Sequence, residues 1–284
     1  MIYLKKFTLL NGEQEDNIIE TERRNIYNNY YPLGIFTSKK FEEIEFENIT
    51  IFYGGNGSGK TTLLNIIADK LKAKRKNEIN KGSHYNIYVN SCENKMSLEN
   101  PLEVKIISSD DVFDYLLDIR SINSNINRRK NFLTEEYLEK KFNQDSTTIA
   151  NYEEIKSRYD SKHKTMSKFI RERLNNNNII EQSNGESALK FWEEEIKDNA
   201  IYILDEPENS LSAENQLKLK QFIEDSARFY NCQFIISTHS PFLLSLNSAK
   251  IYDLDSTPVT KKNWTELKNV RIYHNFFIEH NSEF

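Results

Sequence analysis

The sequence predicts an α/β fold: a mainly parallel sheet, antiparallel strands near the N-terminus, and a helical lobe inserted into the core. Three observations carry that expectation. Apolar, β-branched runs recur at residues 49–53, 200–204, 233–236 and 250–254, each suited to a strand covered on both faces. Helical spacing fills the gaps, with Leu63, Leu64, Ile66, Ile67 and Leu71 after the first run and Leu217, Leu219, Phe222, Ile223 and Ala227 after the second. Residues 111–182 then differ in character. They are rich in Glu, Lys, Arg and Asn, poor in Gly and Pro, and carry helical patches such as Val112, Phe113, Tyr115, Leu116 and Leu117 without sustained heptads. Strands alternating with helices imply a parallel sheet, so residues 1–110 and 183–284 are expected to form the core and residues 111–182 the lobe.

Composition narrows the class. Across 284 residues, 38 Lys and Arg face 43 Asp and Glu, a net charge of −5. That balance marks no global attraction to nucleic acid or membrane and leaves only local patches. Cys92 and Cys232 stand far apart, without metal-ligand spacing, and read as reduced thiols. The opening Met-Ile-Tyr-Leu-Lys-Lys breaks its apolar run early, so no signal peptide is expected. No stretch is long and apolar enough to cross a bilayer, so no membrane insertion is expected. The expectation is a soluble, cytoplasmic protein. The Asn run at residues 175–178 reads as a solvated loop.

Taken in order, residues 2–10 and 43–46 read as strands, and Ile-Thr-Ile-Phe-Tyr at 49–53 as a buried one. That strand feeds Gly54, Gly55, Asn56, Gly57, Ser58, Gly59, Lys60, Thr61 and Thr62, which fit G-x-x-x-x-G-K-[ST]. Glycines let the backbone wrap phosphates with N–H groups turned inward, and the following helix adds its positive end. Lys60 would reach the β- and γ-phosphates, and the Thr61 hydroxyl would ligate Mg²⁺. The next buried strand ends in Asp205 and Glu206. Asp205 suits Mg²⁺, directly or through water, and Glu206 is placed to polarise an attacking water. His239 follows the strand at 233–236, where it could donate to the γ-phosphate or position the lytic water. Ser183, Asn184, Gly185 and Glu186 read either as a turn with a helix N-cap or as a second anion site at a helix N-terminus.

These segments resemble the Walker A, signature, Walker B and switch-histidine motifs of the ATP-binding-cassette (ABC) ATPases. Asp205-Glu206-Pro207-Glu208-Asn209-Ser210-Leu211 and Ser237-Thr238-His239-Ser240-Pro241-Phe242-Leu243-Leu244 resemble more narrowly the soluble branch, which holds SMC proteins, RecF-type repair ATPases, OLD-type ATPases and stand-alone bacterial AAA-family ATPases. The resemblance spans residues 36–254 and implies a P-loop NTPase fold of the ABC ATPase-head type, with ATP and Mg²⁺ as substrate and cofactor. It implies an ATP-dependent homodimer, in which Ser183 and Gly185 cap the γ-phosphate held by the partner chain. Residues 209–212 fall where the family places its D-loop.

Two departures stand out. Ser212 takes the place of the Asp common at the end of the D-loop. No Gln occurs in Val104-Lys105-Ile106-Ile107-Ser108-Ser109-Asp110-Asp111, where the family carries one; Ser109 or Asp110 stands there, or the segment caps a helix. Lys70, Lys72, Lys74, Arg75, Lys76 and Lys81 form a basic run, with Arg128, Arg129 and Lys130 a second. Both read as a track for DNA or RNA phosphates or as a solvated face. Tyr30, Tyr31 and Phe36 are candidates for stacking on adenine.

The expected function is an ATP-gated dimer that drives a partner protein or nucleic acid, in DNA repair or phage defence, with an effector encoded nearby. The alternative is a nucleotide-binding subunit of a membrane transporter. An OLD-like nuclease is disfavoured because little chain follows residue 254, and a module that never turns over ATP conflicts with the Asp205–Glu206 pair.

Overall fold

The computed structural model describes residues 1–22, 30–79, 81–142, 152–174, 184–209 and 211–284. The chain runs through β1 (Leu4–Thr8), α1 (Gly12–Glu22), β2 (Glu43–Glu45), β3 (Ile49–Tyr53), α2 (Lys60–Lys70), α3 (Tyr85–Ser91), β4 (Glu93–Met96), β5 (Glu103–Ser108) and α4 (Ser109–Phe142). It continues with α5 (Tyr152–His163), α6 (Met166–Arg173), α7 (Asn184–Glu195), β6 (Ala200–Asp205), α8 (Ala213–Phe229), β7 (Gln233–Ser237), α9 (Pro241–Leu244), β8 (Lys250–Asp253), β9 (Thr260–Lys261) and α10 (Lys268–Glu279). The Asn run at 175–178 and Ser183 lie outside the described residues.

Two compact units result, Met1–Phe113 with Gly185–Phe284, and Asp114–Asn184. In the first, six strands form a sheet in the order β5-β6-β7-β3-β8-β9, parallel except where β9 runs against β8. A second sheet, β2-β1-β4, is antiparallel. Every residue of β3 and β7 is buried, as a central strand covered on both faces demands. Leu63, Leu64, Ile66 and Ile67 of α2 are fully buried, and Phe52 sits among Phe41, Phe46 and Tyr252. Gln233 ties the two sheets together. Its Oε1 accepts from the Tyr3 and Leu4 amides, and its Nε2 donates to the Leu4 and Glu47 carbonyls. A buried amide with all these bonds made is a specific fastener, since an unmet polar group there would cost about 1–3 kcal/mol.

The second unit is helical. Leu133 and Tyr137 of α4 pack with Phe169 and Ile170 of α6, while Asp160 of α5 lies 3.0 Å from both Lys164 and Arg173. Among the described residues, no helix is long and apolar enough to cross a membrane.

Candidate active site

β3, β7 and β6 are neighbours and parallel, so their carboxyl ends deliver three of the predicted segments to one sheet edge. Open α/β sheets bind ligands at this edge. β3 enters the Gly-rich loop, β6 ends at Asp205, and β7 ends at Ser237, two residues before His239.

Two glycines shape the loop. A Cβ on Gly54 would lie 2.5 Å from Ser58 Oγ, and Gly59 has a φ of +97° with Ile35 Cγ2 3.1 Å from the Cβ position. Gly59 precedes α2, so the unpaired N–H groups of the helix start face the loop. Residues 56–62, with Ile35 and Glu206, line a cavity of about 400 Å³. Lys60 is 5% exposed, and its Nζ donates to the Gly54 carbonyl at 2.7 Å and the Gly55 carbonyl at 3.2 Å. It also stands 3.4 Å from Glu206 Oε1. A buried ammonium beside the N-terminus of α2 favours an anion in that cavity.

Asp205 accepts hydrogen bonds from the Ser237 and Thr61 hydroxyls. Burial pushes its carboxyl up from the ordinary range against those two bonds, and the neighbouring Glu206 adds to the rise. A buried carboxylate paired with a hydroxyl and a second carboxylate fits a divalent cation that completes its shell with phosphate oxygens and water. Glu206 leaves the strand with φ +49°, in the left-handed region that costs a non-glycine residue about 1–2 kcal/mol. β7 holds it there, because the Glu206 amide donates to Ser237 O at 3.0 Å and Ser237 Oγ at 3.1 Å. Asn209 Nδ2 donates to Glu206 Oε2 at 3.2 Å. His239 Nδ1 is 3.7 Å from Glu206 Oε1 and equally far from Glu208 Oε1.

The remaining segments fare differently. Asn184, Gly185 and Glu186 make the first turn of α7, a helix N-terminus. Ser212 is the N-cap of α8 and accepts from the Asn215 amide, which gives that departure a structural role. Ser108 and Asp111 cap the start of α4 reciprocally, the Asp111 carboxylate accepting from the Ser108 amide at 2.7 Å. The helix-cap reading of that segment therefore holds. Phe36 is fully buried in the core, which removes it as a base platform; Tyr31 instead donates to Thr62 Oγ1 at 3.1 Å, and Tyr30 stacks on His84. Part of the basic run is paired within the chain: Lys74 pairs with Glu103, Arg75 and Lys81 with Asp69, Lys76 with Glu195, and Lys70 donates to the Asn90 carbonyl.

Sequence reasoning missed Lys39 and Asp255. Both Asp255 oxygens accept from the Gly55 amide, at 3.0 and 2.9 Å, and Lys39 Nζ donates to the Ser58 and Leu254 carbonyls at 2.6 Å each. Burial lowers the Lys39 ammonium while Asp255 resists the shift. Together they brace the loop from behind. No local signal could have found them, since Gly55 and Asp255 are 200 positions apart.

A family model described as "ABC transporter" matches residues 42–209, and one described as "AAA ATPase domain" matches residues 184–244. No curated protein sequence matches the chain. Among solved structures, it is similar to the SMC head domain from Thermotoga maritima, at 13% identity over 92% of this chain and 99% of that one, with a TM-score of 0.38. It is also similar to cbiO1 from Clostridium perfringens, part of the ABC transporter complex cbiONQ, at 13% identity over 84% of each chain, with a TM-score of 0.32.

Proposed function

This chain belongs to the ABC transporter family of ATPases, and we propose that it spends each ATP on closing and reopening a head-to-tail dimer that gates a partner protein. The observation that carries the reading is the convergence of Lys60, Thr61, Asp205, Glu206 and His239 at one sheet edge. In this reading the phosphates are held by the loop amides that Asp255 and the Gly55 carbonyl leave open, at the start of α2, and Lys60 turns from its carbonyls to the β- and γ-oxygens. Thr61 and Asp205 would hold Mg²⁺, which when bound draws charge from the phosphates. Glu206 accepts a proton from the attacking water, and His239 donates to the γ-phosphate or orients that water. Ser183, Asn184, Gly185 and Glu186 of a second copy supply the opposing helix N-terminus, so each site needs both chains.

The partner is an effector encoded nearby, and repair or defence against foreign DNA is the role that the soluble-branch motifs suggest. A transporter subunit is the weaker alternative, because β5 passes into α4 through the Ser108–Asp111 cap, without the Gln that links such subunits to their channel. The test pairs two variants. Lys60→Ala should weaken binding of a fluorescent ATP analogue by about 10-fold or more, since it removes the cation from a charge-assisted contact. Ser183→Arg should bind the analogue normally yet release no phosphate, because its bulk blocks closure. Undiminished affinity in the first, or normal turnover in the second, would remove the phosphate site or the shared site respectively.

A further inference from the structure

We propose that Glu208 is a positioning residue for hydrolysis, holding the backbone of residues 238–240 so that the His239 ring faces Glu206. The inference rests on the reading that His239 and Glu206 act on the γ-phosphate. Pairing between β6 and β7 ends at Asp205 and Ser237. Beyond that point the backbone N–H groups of His239 and Ser240 have no strand partner, although Thr238 and Ser240 are buried. Glu208 Oε1 takes over the ladder. It accepts from Thr238 Oγ1 at 2.6 Å, from the His239 amide at 3.0 Å and from the Ser240 amide at 3.2 Å. The side chain is 5% exposed, so these bonds form away from water, where each directs geometry more firmly.

Glu208 makes its hydrogen bonds to the loop and none to the ring. At 3.7 Å, His239 Nδ1 is beyond hydrogen-bond range of both Glu206 and Glu208. What aims the half-exposed imidazole is the backbone that carries it. From the opposite side, Asn269 Nδ2 donates to the His239 carbonyl at 2.7 Å, and the Asn269 amide donates to the Tyr53 hydroxyl at 3.1 Å. The His239 peptide is thus gripped at its N–H by Glu208 and at its C=O by the first turn of α10. Ser237 completes the set, bound to Asp205 through its hydroxyl and to the Glu206 amide. The second acid of Asp-Glu-Pro-Glu therefore joins the end of β6 to the end of β7.

Reach and charge can be separated. Glu208→Asp keeps the charge but draws the acceptor back by about one C–C bond, roughly 1.5 Å; Glu208→Gln keeps the length and an acceptor oxygen. The readouts are kcat, affinity for a fluorescent ATP analogue and melting temperature for both, beside His239→Ala. Glu208→Asp should lose kcat by about 10²-fold, the scale of a 1 Å misplacement, with analogue affinity unchanged and a folded melting transition. Glu208→Gln should stay within about 5-fold of wild type, since it keeps an acceptor oxygen at the same reach. A Glu208→Asp protein with wild-type kcat beside an impaired His239→Ala overturns the inference alone. So does a Glu208→Gln protein as slow as Glu208→Asp, which would make the charge and not the reach essential. A fully active His239→Ala overturns the reading of His239, and the inference with it.

Discussion

The α/β unit and the helical lobe bury their cores by different means. In the first, the β3 strand and the α2 helix join a broad cluster that includes Phe7, Phe52, Leu63, Ile66, Ile203 and Ile235, nearly all fully buried. In the lobe, the described core is Leu133, Tyr137, Phe169 and Ile170, with Leu174 against it. Ion pairs flank this small core. Asp160 bridges Lys164 and Arg173, Lys164 reaches Glu172, and the Arg173 guanidinium lies 3.8 Å from the Phe169 ring centre, tying the ion pairs to the apolar core. Glu136, Lys140 and Ser157 form a second set. An apolar core holds over a wide pH and salt range, whereas a charge-laced one responds to both.

The comparison can be broken most forcefully in the core. Phe52→Ala empties a fully buried site next to the phosphate loop and should cost about 3–5 kcal/mol, lowering the main thermal transition and nucleotide affinity together. Phe169→Ala removes the same ring from the smaller core, where surrounding helices can settle inward, so about 3 kcal/mol is expected. Its effect should stay in the lobe: amide exchange in α5 and α6 rises, while binding of the ATP analogue persists. Equal loss of binding in both variants would erase the distinction between the units.

A smaller effect sharpens it. The hydrogen bond from Lys164, with that from Arg173, holds the Asp160 carboxyl below its ordinary value. A depressed carboxyl contributes stability that is present above the unfolded pKa and is lost as pH falls through the folded one. Exchange protection in α6, corrected for intrinsic rates, should therefore drop in acid below the ordinary aspartate range. Asp160→Asn should lose about 1 kcal/mol at neutral pH, discounted for solvent screening, and respond less to acid. Identical acid profiles for the two proteins would assign the lobe's stability to its apolar contacts.

The same contrast explains what could be read from the sequence. β3, β6 and β7 are unbroken apolar runs because both faces are covered, and that pattern is local. β4, Glu-Asn-Lys-Met, is mostly exposed and shows no alternation; it is a strand because β1 pairs with it, which no window along the chain reveals. α10 carries Ile272, Phe276 and Ile278 largely exposed, so its apolar residues did not mark a buried helix. At the site, the Gly-rich loop, Asp205–Glu206 and His239 are contiguous segments with fixed spacing. The supports are not: Lys39 and Asp255 meet the loop across the fold, and Glu208, though part of the resembling segment, has no role legible until its three donors from the next strand's end are seen. Chemistry was legible where it is written in one stretch, and its scaffolding was not.

The central claim is that hydrolysis occurs in a site closed by two chains and reset by Glu206. Glu206→Gln keeps the shape and hydrogen bonding of that residue but removes the base. Light scattering of this variant with Mg²⁺-ATP, paired with a phosphate-release assay on the same sample, tests the claim directly. The account predicts twice the chain's mass with ATP, the monomer mass with ADP, and phosphate release lower than wild type by about 10²–10⁴-fold. A variant that binds ATP yet keeps the monomer mass, or that releases phosphate at the wild-type rate, would contradict it.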